Sequence, residues 1–147
     1  MESNAAARDM VSVVERMLTE GFAGGRLDVV DELCAPDVVE HQFGLAGVGA
    51  EAIAKVRDGM HVVHTAFPDL RFTVEDWSVS GDIVWVRAEG VATSTGPFLG
   101  PPTGKPVSFT VIDVARIRDG RIVEHWGIPD RFEILVRLGR ISVPDAA

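Results

Sequence analysis

The chain has 147 residues, 46% of them apolar, with 14 basic against 22 acidic side chains and a net charge of −8. That length fits a single domain, 1–147, with enough apolar matter for a sizeable core. The negative field excludes a nucleic-acid backbone or an anionic membrane as partner, no stretch approaches the roughly 20 apolar residues of a membrane span, and the polar start MESNAAARDM lacks a secretory-signal pattern, so the expected location is cytoplasmic.

Residues 8–23 read as an amphipathic helix, with Met10, Val14, Met17, Leu18 and Phe22 at helical spacing before Gly24-Gly25. A short helix follows from Asp28, a plausible N-cap, and stops before Pro36. Cys34, the single cysteine, excludes an intrachain disulfide; between Leu33 and Ala35 it reads as a buried structural thiol, with a reactive thiol as the alternative. Asp37 to Gln42 is expected to be extended, entering the glycine-containing loop FGLAGVG.

The spacing of Ile53, Val56, Met60, Val63 and Phe67 predicts a third helix over about 50–66, ended by Pro68. The period then changes. Leu70, Phe72 and Val74 alternate with polar residues as on a half-buried strand, Ser80-Gly81-Asp82 turns, and Ile83 to Thr93 is a second strand. The loop STGPFLGPPTGKP, rich in Gly and Pro, is irregular, and its Phe98 and Leu99 are expected to fold over something. Strands at 107–118 and 121–128 flank Asp119-Gly120. A final helix at 130–138 closes at Gly139. Helices first and strands afterwards indicate α+β, with N-terminal helices packed on one face of a cone-shaped, curved antiparallel sheet. The mouth of such a cone is a natural small-molecule site.

Asp119-Gly120 can close its hairpin in two ways. A two-residue type I′ turn puts Arg118 opposite Arg121 and Asp113 opposite Trp126. A three-residue loop with a glycine bulge puts Ile117 opposite Arg121 and Asp113 opposite His125. Opposed arginines count mildly against the first. In the second register Val111, Asp113, Ala115, Val123, His125 and Gly127 share a mostly apolar face, while Trp126 lies on the other with Ile112, Val114, Ile122 and Ile128. A carboxylate beside an imidazole on an apolar face suits proton transfer, so Asp113 and His125 are the candidate catalytic residues. A structural Asp–His pair capping the core is the plainer alternative.

The segments DVARIRDGRIVEHWGIPD at 113–130 and LVRLG at 135–139 resemble the closing hairpin of SnoaL-like polyketide cyclases, also called ester cyclases. FPDLRFTVED at 67–76, GPFLGPPTGKPVSF at 96–109 and VEHQ at 39–42 are similar to that family too, so the resemblance covers about residues 10 to 140. It implies a nuclear-transport-factor-2-like cone, cofactor-independent chemistry on a small hydrophobic polyketide-like carbonyl substrate, and the bulged register. The family's aldol cyclases are similar in using an aspartate two residues after the histidine of the last strand. Here that position is Gly127, and Asp113 stands where they carry a histidine. The aldol role therefore does not transfer intact. The resemblance leaves three possibilities: a cyclase using Asp113, a non-catalytic binding or accessory protein, or an epoxide hydrolase or isomerase with an Asp-activated water.

The resemblance also places His41 and Gln42 near the pocket floor, able to orient a substrate carbonyl, although His41 alone reads equally well as a hydrogen-bonded loop residue. His64, Phe67, Phe98, Gly127 and Asp130 complete the candidate substrate contacts, with helix capping as the other role for Asp130. His61 and His64 share a helix face, but no third metal ligand is evident and none is assigned. Trp77, Trp85 and Trp126 suit a core or a dimer face. A sheet apolar on both faces needs two covers, so a homodimer through the outer face is expected.

Overall fold

A computed structural model describes residues 2–143. Helix α1 spans Glu2–Arg16, several residues earlier than its apolar stripe requires, because Ala5–Ala7 are strong helix formers that extend it. It runs on as a π-helical segment, Met17–Ala23. Helices α2 (Val29–Leu33) and α3 (Ala50–Ala66) follow, with α4 at Arg131–Arg137. The strands are β1 (Cys34–Glu40), β2 (Gly47–Val48), β3 (Arg71–Ser80), β4 (Ile83–Thr93), β5 (Pro106–Arg118) and β6 (Arg121–Pro129). Among the described residues no helix is long and apolar enough to cross a membrane.

The sheet order is β2-β1-β6-β5-β4-β3, antiparallel except where β1 runs parallel to β6. Alternation decides its two faces. On β4, Val84, Val86, Ala88 and Ala92 are buried under the helices, while Trp85 and Val91 point outward and are half exposed. Met60 of α3 and Val14 of α1 are buried against this inner face, with Val29, Val30 and Ile122. A second apolar cluster around Phe67, Leu70, Phe109 and Ile134 fills the other end. Helices thus cover one face of a curved, unclosed sheet, the expected α+β cone with one parallel pair added.

The hairpin register differs from both expectations. Asp119 and Gly120 each have positive φ, 51° and 73°, and Arg118 pairs with Arg121. This is the two-residue turn that Asp-Gly favours, because both central residues must reach the left-handed region. The opposed arginines are tolerated because Arg118 is exposed and Asp82 lies 3.4 Å from it and 2.7 Å from Arg116. A β-bulge follows at once: Ile117 faces Ile122, but Arg116 faces Glu124. The extra residue is Val123. Beyond it Ala115 faces His125, and Asp113 faces Gly127 rather than His125. Asp113 and His125 still share the inner face because turn and bulge together shift the register by an even number. Ile122, expected outside, is buried inside, and the bulge is the reason.

Candidate active site

The inner face, α1, α3 and the loop before β5 enclose a cavity of about 490 Å³. Most of its wall is apolar, including Leu18, Phe72, Phe109, Val111 and Ile122. Phe67 and Phe98 line it together, their rings tilted at 5.4 Å, so Phe98 does fold back over the cavity. The loop that carries Phe98 is held down: Gly96 N donates to Ala66 O at 2.9 Å, and Arg140 donates to the carbonyls of Phe98 and Pro101.

Three strands supply the acid–base groups of the wall. His125 projects inward from β6 with its side chain 16% exposed. Its Nε2 lies 2.9 Å from Asp113 Oδ1 on β5, and its Nδ1 lies 2.8 Å from Glu40 Oε2 on β1. The parallel pairing of β1 with β6 sets Glu40 directly beside His125. Glu40 Oε1 also accepts the Gln42 backbone N–H at 2.8 Å. Both carboxylate side chains are only 6% exposed. Burial alone would strip the proton from His125. The hydrogen bonds and charges of Asp113 and Glu40 outweigh it and raise the imidazole pKa to about 10. At neutral pH the ring is therefore an imidazolium donating to both carboxylates. Asp113 Oδ2 has no protein hydrogen bond among the described residues, and Asp113 lines the cavity. It is the basic oxygen open to a ligand.

Several expected contacts lie elsewhere. Gln42 lines the cavity, but His41 does not. Alternation along β1 and its exit turns His41 to the outer face, where it stacks on Trp126 at 4.8 Å and sits 3.8 Å from Glu124. His64 is also outside the cavity wall. Its Nδ1 is 2.9 Å from Ala23 O, a bond that fixes the end of the π-helical segment. Asp130 caps α4, accepting from Glu133 N at 3.0 Å, and does not reach the cavity. Gly127 is buried beneath Gln42. Among the described residues no group of His, Cys, Asp and Glu is arranged to hold a metal ion. Cys34 is buried, and desolvation, with Glu40 and Asp31 nearby, pushes its thiol up to about 12, which disfavours the reactive reading.

Sequence reasoning missed Glu40. Its signal was the inward set Val38, Glu40 and Gln42 at period two, which places a carboxylate on the apolar face. Arg131 at the mouth was missed as well. It donates to Phe43 O at 2.6 Å and stacks on the Phe43 ring at 5.3 Å.

A model of the family described as SnoaL-like polyketide cyclase matches residues 12–138. The chain belongs to the SnoaL-like polyketide cyclase family. No curated protein sequence matches it. Among solved structures, this family member is similar to wild-type IdmH of Streptomyces antibioticus, a proposed polyketide cyclase: 34% identity over 88% of this chain and 98% of that one, with a TM-score of 0.72. It is similar to AclR of Streptomyces galilaeus, a proposed hydroxylase, at 28% identity over 94% and 86% of the two chains, TM-score 0.76. A Catenulispora acidiphila protein with a ketosteroid isomerase-like fold, 14% identical over 86% and 92% with a TM-score of 0.68, shares the fold alone.

Proposed function

We propose that this protein is an acid–base enzyme of the polyketide-cyclase type that enolises a small, largely apolar carbonyl compound. The observation that carries the reading is the Asp113–His125–Glu40 chain set in a mostly apolar cavity wall. Asp113 Oδ2 takes a proton from the carbon next to a carbonyl, and the C–H electron pair passes through that carbon to the carbonyl oxygen as an enolate. The enolate carbon attacks a second carbonyl carbon of the same molecule. The new alkoxide recovers the proton from Asp113, so no atom is gained or lost. The imidazolium of His125 offsets the charge that moves across the site, and Glu40 holds it charged and oriented. No step in this sequence calls for a cofactor. Likeness to IdmH, a proposed polyketide cyclase, supports the same class of substrate.

A second reading, a binding or accessory protein, is favoured by Gly127, which stands where the family's aldol cyclases carry their acid. Exchange of the α-protons of 2-tetralone in D2O, followed by proton NMR, separates the two. The wild type should accelerate exchange, and Asp113→Asn should remove about 10²–10⁴-fold of that rate. Equal exchange by wild type and variant would sink the acid–base proposal. Binding without exchange would establish the second reading.

For the outer face of the sheet we infer a second copy of the chain. Trp85 and Ile128 are 51% and 63% exposed there, next to Ile112 and Trp126, an apolar area that water covers poorly.

A further inference from the structure

Gln42 of the cavity wall rests on Gly127, which lies beneath it. Gly127 is the cross-strand partner of Asp113. A Cβ on it would lie 1.9 Å from Gln42 Oε1, 2.8 Å from Gln42 Cδ and 3.0 Å from His125 Cε1. The Gln42 carboxamide is therefore seated on the bare Cα of Gly127, in space that any other residue would fill. Backbone geometry does not demand glycine there, because the φ of Gly127 lies outside the left-handed region. Glycine inside a strand otherwise weakens the sheet. What requires it is the close approach of Gln42.

Gln42 is pinned at its backbone. Its N–H donates to Glu40 Oε1 at 2.8 Å, and its carbonyl accepts from Leu45 N at 2.9 Å. Its side-chain amide has no hydrogen-bond partner among the described residues, and it lines the cavity. A carboxamide that bonds to nothing in the protein can serve a ligand oxygen, and its fixed seat sets where that oxygen sits.

We propose that Gly127 and Gln42 are a specificity-determining pair: the glycine makes the seat, and the seated carboxamide donates to a carbonyl or enol oxygen of the ligand beside Asp113. The proposal deepens the enolisation reading and rests on it for the nature of that oxygen. It also explains why the family's acid cannot simply be restored here. An aspartate at 127 would have to evict Gln42.

The probes are 2-naphthol and naphthalene, which share their rings and differ by one oxygen, titrated by fluorescence. The wild type should bind 2-naphthol about tenfold more tightly than naphthalene, the size of one well-placed hydrogen bond. In Gly127→Ala the added methyl displaces the flexible end of Gln42, not backbone. The variant should fold, keep its naphthalene affinity, and show a preference of no more than about twofold. Gln42→Leu should lose the preference without touching the strand, and the double variant should be no worse than either single one. A wild type without the preference, or a Gly127→Ala or Gln42→Leu variant that keeps it, overturns the proposal. Should Gly127→Ala fail to fold, Gln42→Leu alone decides. A wild type that prefers 2-naphthol yet exchanges no α-protons of 2-tetralone defeats the enolisation reading and leaves the seat standing. Exchange without the preference defeats the seat alone.

Discussion

Glu40→Gln tests the electrostatic core of the site with the least change of shape. The amide keeps an oxygen that can accept from His125 Nδ1 and from Gln42 N, and removes only the charge. Breaking one side of a buried ion pair typically costs about 3–5 kcal/mol when the remaining charge is left uncompensated. Here Asp113 still compensates, 2.9 Å from Nε2, so about 2 kcal/mol is the expected loss. For a domain of this size that lowers Tm by roughly 6–8 °C. The sign with pH follows from the raised pKa. Asp113 and Glu40 raise the pKa of wild-type His125 from an ordinary 6.5 to about 10, so its charge stabilises the fold fully below about pH 6.5 and loses that contribution as pH rises toward about 10. The gap between wild type and Glu40→Gln should be widest in the acidic range and should close as pH climbs through that window. Proton NMR of the His125 ring, assigned with His125→Gln, reads the titration directly, and thermal unfolding across pH reads the linkage. In the variant His125 must titrate at lower pH than in the wild type. A wild-type ring titrating near 6.5, or a variant titrating with the wild type, would refute the reasoning.

The remaining predictions need only simple measurements. Asp113→Asn should stay folded by circular dichroism while its exchange of 2-tetralone protons collapses; loss of fold instead would make Asp113 a structural residue. Cys34, buried with its thiol pushed up to about 12, should resist iodoacetamide at pH 8 in the native state and react once urea unfolds the chain, and rapid native labelling would contradict its assignment as structural. In sedimentation at micromolar concentration the wild type should run as a dimer and Trp85→Glu, a charge on the outer apolar face, as a monomer. A monomeric wild type would remove the dimer.

Much of this arrangement was legible in the sequence, for reasons that individual residues make plain. Helix α3 carried its bounds in its stripe, and Pro68 stopped it. Asp113 and His125 were legible as partners on one face only through the resemblance, because the two closures of the turn differ in parity and parity sets the face. Their register was legible from neither the turn nor the resemblance. Asp119-Gly120 suits a two-residue turn and a three-residue one almost equally, and a bulge at Val123 leaves no mark, since Ile122 and Val123 are alike to the core. Glu40 was hidden because the partner of β1 is β6, more than 80 residues along the chain, and parallel pairing at that distance has no local signal. His41 went astray for the opposite reason. A motif shared with a family says that a residue is near a site, but alternation along β1 says which way it points, and here it points at Trp126.

The extra residue at Val123 has a further consequence for anyone aligning or editing this chain. Upstream and downstream of it, β6 runs in opposite phase: Ile122 and His125, three positions apart, both face the helices. Deleting Val123 would therefore remove the bulge and leave the pairing on either side of it unchanged. Ile122 and His125 would then stand two positions apart on an evenly alternating strand and would both keep facing the helices. The bulge is thus a place where the chain can lose one residue without moving its chemistry, and a relative one residue shorter there can carry the same inward pair.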